Sequence, residues 1–274
     1  MGNQRQTLNR AASIIEPDIH FGEHDESAVA CIEKAAEWIK PWRWLQQGDA
    51  LECRPFSSHP AYKISQAGDY DWHHHEVGPY LTHLRNLAKY NSPRMKYIQL
   101  EGNHEFRVER WCLGAGAVGS ALWSTVNPES LIRHASPFKD TEYVRYIDDG
   151  DITSRYHLGP NLIVVHGWSF AVNAAQIHLQ KAAIQGWSIL FGHTHRAQLS
   201  TVRQSGTDRL MRAESFGCLR TLDPPFAQGK GPSGWSHGFG LMYQSRRDPL
   251  DYVIYHVPIC KGRAILPDGH EISV

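Results

Sequence analysis

Five short apolar runs in this chain each end in a small cluster of histidine, aspartate or asparagine, and that arrangement restricts the fold more than any other feature. Ile14 and Ile15 lead into Pro17-Asp18-Ile19-His20, and Trp42 to Gln47 leads into Gly48-Asp49. Lys96 to Leu100 leads into Glu101-Gly102-Asn103-His104-Glu105, Leu162 to Val165 into His166-Gly167, and Ser188 to Phe191 into Gly192-His193-Thr194-His195-Arg196. The runs have the length of buried strands, and the carboxyl ends of strands are where the sites of α/β sheets gather.

The segments between these runs complete an alternating α/β pattern. Ser27 to Lys40 carries Val29, Ile32, Ala36 and Ile39 at helical spacing, and Pro41 marks its stop. Helical stretches are expected around Tyr80 to Tyr90, Phe106 to Leu113 and Ala171 to Gln185. Tyr143 to Ile147, Arg155 to Leu158 and Tyr252 to Val257 read as strands, with turns at Gly159-Pro160-Asn161 and Pro267-Asp268-Gly269. The chain of 274 residues reads as a single domain, 1–274, with insertions at about 53–93 and 106–140 that wall a cleft. The stretch 114–140 reads as irregular.

Composition narrows the function classes. Lys plus Arg and Asp plus Glu both total 28, so no global field draws the chain to duplex nucleic acid or an acidic membrane, although a local basic groove is compatible with that balance. Cys31, Cys53, Cys112, Cys218 and Cys260 form no C-x-x-C pair, against a zinc knuckle or disulfide framework. No signal peptide follows Arg5 and Arg10, and no apolar run approaches the ~18 residues that span a bilayer. Gln6 departs from the myristoylation pattern that Met1-Gly2 begins. A cytoplasmic protein with no membrane partner is expected.

The clusters themselves are a hard-to-borderline donor set, carboxylate, amide oxygen and imidazole without thiolate, which suits divalent cations other than a structural zinc. Taken singly, Gly48-Asp49 is a common turn, and His20 or His166 alone is more often a satisfied strand histidine. Taken in order, the five clusters resemble the calcineurin-like metallophosphoesterase superfamily across residues 14 to 200, with flanking text similar to its phage and prophage members. The resemblance implies a four-layer α/β/β/α sandwich and two divalent ions, with Mn first and Fe, Zn, Ni or Mg also compatible. It implies that Asp18, His20 and His195 hold one ion, that Asn103, His166 and His193 hold the other, and that Asp49 bridges them.

A water shared by two divalent ions ionises near neutral pH and would attack phosphorus in line. His104 is then the candidate general acid, with Glu52, three positions after the bridging Asp49, in the place of the carboxylate that orients it in related phosphatases. Arg54, Arg107 and Arg196 are candidate phosphate clamps. The expected activity is phosphodiester hydrolysis on DNA, another nucleic acid or a nucleotide. The alternatives are a phosphomonoesterase, a Ser/Thr-type protein phosphatase, which Glu101 and Glu52-Cys53-Arg54 disfavour, and a catalytically silent scaffold, which the complete ligand set disfavours.

Other features carry bland expectations. His73-His74-His75 reads as a solvated face, because three adjacent side chains cannot converge on one ion. Asp148-Asp149-Gly150-Asp151 reads as a turn, His178 as a packing or capping residue, and Trp168, Trp187 and Trp235 as core.

Overall fold

The computed structural model describes residues 12–58, 70–91, 94–146, 155–224, 234–245 and 247–274. The fold is mixed α/β. A six-stranded sheet is built from β1 (Ala12–Glu16), β2 (Arg43–Gln46), β3 (Lys96–Leu100) and β4 (Asp140–Val144), which run parallel to their neighbours, and is extended past β1 by the antiparallel strands β10 (His237–Gln244) and β11 (Tyr252–Ile259). A five-stranded sheet has the order β5 (Tyr156–Gly159), β6 (Leu162–Val165), β7 (Ser188–Phe191), β9 (Leu210–Phe216), β8 (Ala197–Arg203), with β6, β7 and β9 parallel. A small hairpin, β12 (Arg263–Ile265) with β13 (Glu271–Ser273), closes the chain around the Pro267-Asp268-Gly269 turn.

Strand periodicity sets the packing, because successive side chains point to opposite faces. Ile14, Trp44 and Tyr97 of the first sheet join the cluster beneath α1 (Glu26–Ile39) and α2 (Gly78–Tyr90), whereas their neighbours Ile15, Leu45 and Ile98 join another. That second cluster also takes Leu162, Val164, Leu190 and Phe216 from the five-stranded sheet. Ile163, Val165, Ile189 and Phe191 turn to a third cluster with Ala175, Leu179 and Ala182 of α6 (Ala174–Ile184). The central parallel strands β1, β2, β3, β6 and β7 are therefore buried on both faces, which is why they read as largely apolar runs rather than alternating ones.

Local sequence explains the helix ends. Asp25 caps α1 by accepting from Ala28 N at 2.9 Å, and Lys40 leaves the helix in a left-handed conformation just before Pro41. The helix at Asn103–Gly114, α3, starts three residues before the expected Phe106, directly at the Gly-Asn-His-Glu cluster. The stretch expected to be irregular, 114–140, holds α4 (Gly116–Val126) and α5 (Pro128–Ala135). Gly119 is a packing glycine: a Cβ there would lie 1.9 Å from the Cys112 carbonyl oxygen of α3. Asn127 caps α5 through Glu129 N and Ser130 N, with Pro128 in the first turn.

Boundary differences are small elsewhere. β4 begins at Asp140 rather than Tyr143, and α6 at Ala174 rather than Ala171. In the 53–93 stretch, Arg54–Phe56 is a 3-10 turn, and a π-helical turn at His73–Val77 runs into α2. His73, His74 and His75 are exposed as expected, and Asp148-Asp149-Gly150-Asp151 lies outside the described residues. Trp168 and Trp187 are half-buried and pack against the third cluster, whereas Trp235 is half-buried and joins none of the three, because it lies on a loop and not on a strand face. Among the described residues no helix is long and apolar enough to cross a membrane.

α2 is fastened to the first sheet by a buried ionic cluster. His83 lies 3.0 Å from Glu16 of β1 and 2.7 Å from Glu33 of α1. Burial disfavours the imidazolium, but the two carboxylates outweigh it and hold His83 up to about 9 against an ordinary 6.5. A raised histidine pKa stabilises the fold fully below the unfolded value, and that contribution vanishes as pH rises through the folded one. Urea unfolding of the parent chain is therefore expected to lose on the order of 2 kcal/mol between about pH 6.5 and 9 that the His83→Gln variant does not lose. Equal pH dependence in both proteins would assign the charge elsewhere.

Candidate metal centre

The loops after β1, β2 and β3 leave the same edge of the first sheet, and those after β6 and β7 leave the corresponding edge of the second, because these strands are parallel within each sheet. Those loops carry the candidate ligands. Asp18, His20 and His195 present ligand atoms that lie within 4.8 Å of one another, as do Asp49, His166 and His193, and as do His20, Asp49 and His104. These buried groups could hold a metal ion. Asn103 joins the second group, its Oδ1 lying 2.9 Å from His166 Nε2. The Asp18–His20–His195 and Asp49–His166–His193 groups take ligands from both sheets, whereas His20, Asp49 and His104 all follow strands of the first.

The facing atoms are the kind that a cation reconciles. His20 Nε2 and His195 Nε2 are 3.0 Å apart. His20 Nδ1 donates to Glu52 Oε2 at 2.8 Å, so the Nε2 lone pair is the one turned inward. His166 Nδ1 donates to the Gln47 carbonyl at 3.0 Å, which likewise turns Nε2 towards Asn103 Oδ1 and towards Asp49 Oδ2 at 3.4 Å. Burial opposes a charge on His166, yet Asp49 and Asp18 hold it up to about 10, so a proton there satisfies the same acceptors that a cation would. Asp49 itself, despite burial, is held well below the usual carboxylate range by His104, His166 and His20. Burial with the nearby His104 and Arg220 charges pushes His20 down to about 3, and burial with the His166 charge pushes His193 to about 4.

Backbone conformation is specialised here. His20 (φ 56°), Asp49 (φ 53°), His193 (φ 68°) and His195 (φ 57°) all lie in the left-handed region, which side chains other than glycine rarely occupy. Two glycines are required by close approach: a Cβ on Gly102 would sit 2.1 Å from Asp49 Oδ1, and one on Gly192 2.3 Å from Asp18 Oδ1. The Asp18 carboxylate accepts His193 N–H at 2.9 Å, and the Asp49 carboxylate accepts His104 N–H at 2.8 Å at the start of α3, where a helix favours negative charge.

The supporting residues differ from expectation in one place. Glu52 was expected to orient His104 through its side chain. Its carboxylate instead holds His20 and accepts from Arg220 Nη1 at 2.9 Å, while its main-chain carbonyl accepts from His104 Nδ1 at 2.9 Å. The same carboxylate keeps a longer ion-pair contact with His104, Oε2 standing 3.5 Å from Nδ1, so it serves His20, Arg220 and His104 together. Burial lowers the pKa of His104, and the nearby Asp49 and Glu52 charges only partly offset it. Arg107 reaches His104, with Nη2 2.8 Å from Nε2. Arg54 lies over the Tyr70 ring at 4.8 Å, and Arg196 is half-buried immediately after His195.

Several functional supports went unread. Glu105 accepts from Asp49 N (3.0 Å), Leu51 N (2.8 Å) and Gly102 N (2.9 Å). Its signal was present, a Glu three residues after the residue that precedes a helix. Gln46 braces the Gly48 turn through Gly48 N (2.7 Å) and Gly48 O (2.9 Å), and Gln99, itself hydrogen-bonded by Tyr80 and Tyr97, braces Gln46. Glu76 gathers Cys53 N, Arg54 N, Tyr70 Oη and Trp72 Nε1, and so ties the π-helical turn to the loop beyond Asp49. His178 packs and caps as expected: it stacks on Phe191, and its Nδ1 donates to the Ala174 carbonyl.

Carboxylates that orient a liganding histidine typically set metal affinity by a factor of about 10 to 100. Glu52→Gln is therefore expected to weaken Mn binding by roughly that factor in isothermal titration, with Arg220→Met moving it in the same direction. Unchanged affinity in both variants would remove Glu52 from the support of His20. No family model matches the chain, and no curated protein matches it, so the character of this site rests on its own geometry.

Proposed function

We propose that the chain is a dinuclear metal-dependent phosphoesterase whose preferred reaction is phosphodiester hydrolysis on nucleic acid or nucleotides. The observation that carries this reading is that the buried carboxylate of Asp49 belongs to two overlapping candidate groups, one with His166 and His193 beside Asn103 and one with His20 and His104, while His20 also groups with Asp18 and His195. A structural metal site needs a single closed group and no shared carboxylate. The resemblance to calcineurin-like metallophosphoesterases predicts the same partition of ligands, and the three apolar clusters support the four-layer α/β/β/α arrangement that goes with it.

Bound between these groups, a divalent pair supplies charge that acidifies water and offsets charge on phosphoryl oxygens. The protein's own residues do the rest. Asn103 adds a neutral oxygen, which limits negative charge beside an anionic substrate. His104, fixed by the Glu52 carbonyl through Nδ1, keeps Nε2 for proton exchange with a departing oxygen. Arg107 now lies at that ring edge, and a substrate phosphate is the anion that would draw its guanidinium away.

Loaded with Mn, the chain is expected to bind two ions and to hydrolyse bis-p-nitrophenyl phosphate faster than p-nitrophenyl phosphate. A plateau at one ion, with Asp49→Ala binding it normally, overturns the shared carboxylate. Faster turnover of the monoester favours a phosphomonoesterase.

His104→Ala is expected to retain both ions. It should cost esters with poor leaving groups about 10²- to 10⁴-fold, while nitrophenyl esters lose comparatively little. Equal losses on both would make His104 a stabiliser of phosphoryl oxygens instead of an acid.

A further inference from the structure

Three aromatic side chains outside the core stand near candidate ligands, Tyr146 at His166, Phe170 at His193 and Trp235 at His195, and the last two flank the pair of histidines on the loop after β7. Phe170, on the loop between β6 and α6, is 77% exposed, and its ring centroid lies 6.1 Å from that of His193 at 61°. Trp235, on the segment that leads into β10, is half-buried, with its ring 4.4 Å from that of His195 at 73° and the Arg220 guanidinium 6.0 Å from it. Neither ring stacks flat on its histidine. Phe170 contributes little burial to folding and leaves ring surface open beside a candidate liganding imidazole.

The chemistry of a diester supplies that partner. A phosphomonoester has one organic arm, whereas a phosphodiester held between the two groups sends one arm towards the His193 side and the other towards the His195 side. We propose that Phe170 and Trp235 are stacking walls for the two bases that flank the scissile phosphate, and that the substrate is single-stranded nucleic acid. This rests on the phosphodiesterase reading above. A duplex keeps its base faces covered by neighbouring base pairs, so it offers these rings nothing to stack on, whereas an unpaired base of any identity does. The balanced net charge fits the same substrate, since stacking supplies affinity that a globally basic surface would otherwise provide.

The test compares oligothymidylate with an abasic oligomer of equal length and with a duplex. KM is measured with the Mn-loaded chain, and Kd by fluorescence anisotropy of labelled phosphorothioate versions. The parent chain is expected to prefer the base-bearing single strand over the abasic oligomer by roughly 5- to 100-fold for each stacked base. Phe170→Ala and Trp235→Ala should each shrink that ratio, the double variant should bring it close to one, and Trp235→Phe should retain most of it. Metal content and thermal melting identify any variant that fails to fold, and the comparison within the parent chain stands without them. Equal affinity for base-bearing and abasic strands, duplex binding as tight as single-strand binding, or a ratio that survives in the double variant would each overturn the proposal. Base preference in Kd with no ester hydrolysed refutes the phosphodiesterase reading and keeps the stacking walls. Hydrolysis of bis-p-nitrophenyl phosphate without base preference does the reverse.

Discussion

Glu105 accepts the main-chain N–H groups of Asp49, Leu51 and Gly102, and so ties the loop after β2 to the loop after β3. Asp49 depends on this tie. Its backbone is left-handed, its carboxylate is buried, and it must stand between His20, His104 and His166 at once. Burial and the Asp49 charge push the Glu105 carboxyl up to about 8, against the pull of the N–H donors. Gln46 and Gln99 extend the same brace to Tyr80 of α2, so the helix that covers the first sheet also steadies the turn at Gly48.

Strand ends were legible in the sequence because burial on both faces keeps the central strands mostly apolar and free of His, Asp and Asn, so the first of these after an apolar run marks where the chain leaves the sheet. That is how Asp18, Asp49, Asn103, His166 and His193 could be found one by one and then seen to converge. The helices α4 and α5 were not legible. Gly114, Gly116 and Gly119 argue for a loop on local propensity, and only the packing of α4 against α3 shows that Gly119 is there for contact. Tertiary context overrode propensity at that point.

The supports of the ligands were legible only where they are local. Glu105 belongs to a helix-start pattern, whereas Arg220 reaches Glu52 across 168 residues, and no spacing rule connects the two. The role of Glu52 shows the same limit. Its position after Asp49 was readable, but whether its side chain or its carbonyl meets His104 depends on Arg220. Trp235 read as core because tryptophan usually is; its place on a loop beside His195 follows from the crossing of β10 into the first sheet.

Two of the candidate cation groups pair Asp18, His20 or Asp49 of one sheet with His166, His193 or His195 of the other, with the cluster of Leu45, Ile98, Leu190 and Phe216 drawing side chains from both sheets. The two sheets are in effect the jaws of a vice, and that apolar layer is the spacer that sets its gap. Close-packed interiors transmit a change of one methylene as a displacement rather than absorbing it. The distance between Nε2 of His20 and Nε2 of His195 is therefore a gauge of how the sheets are registered. Side chains remote from every candidate ligand, such as Leu190, act as calibration screws on the geometry at the far edge.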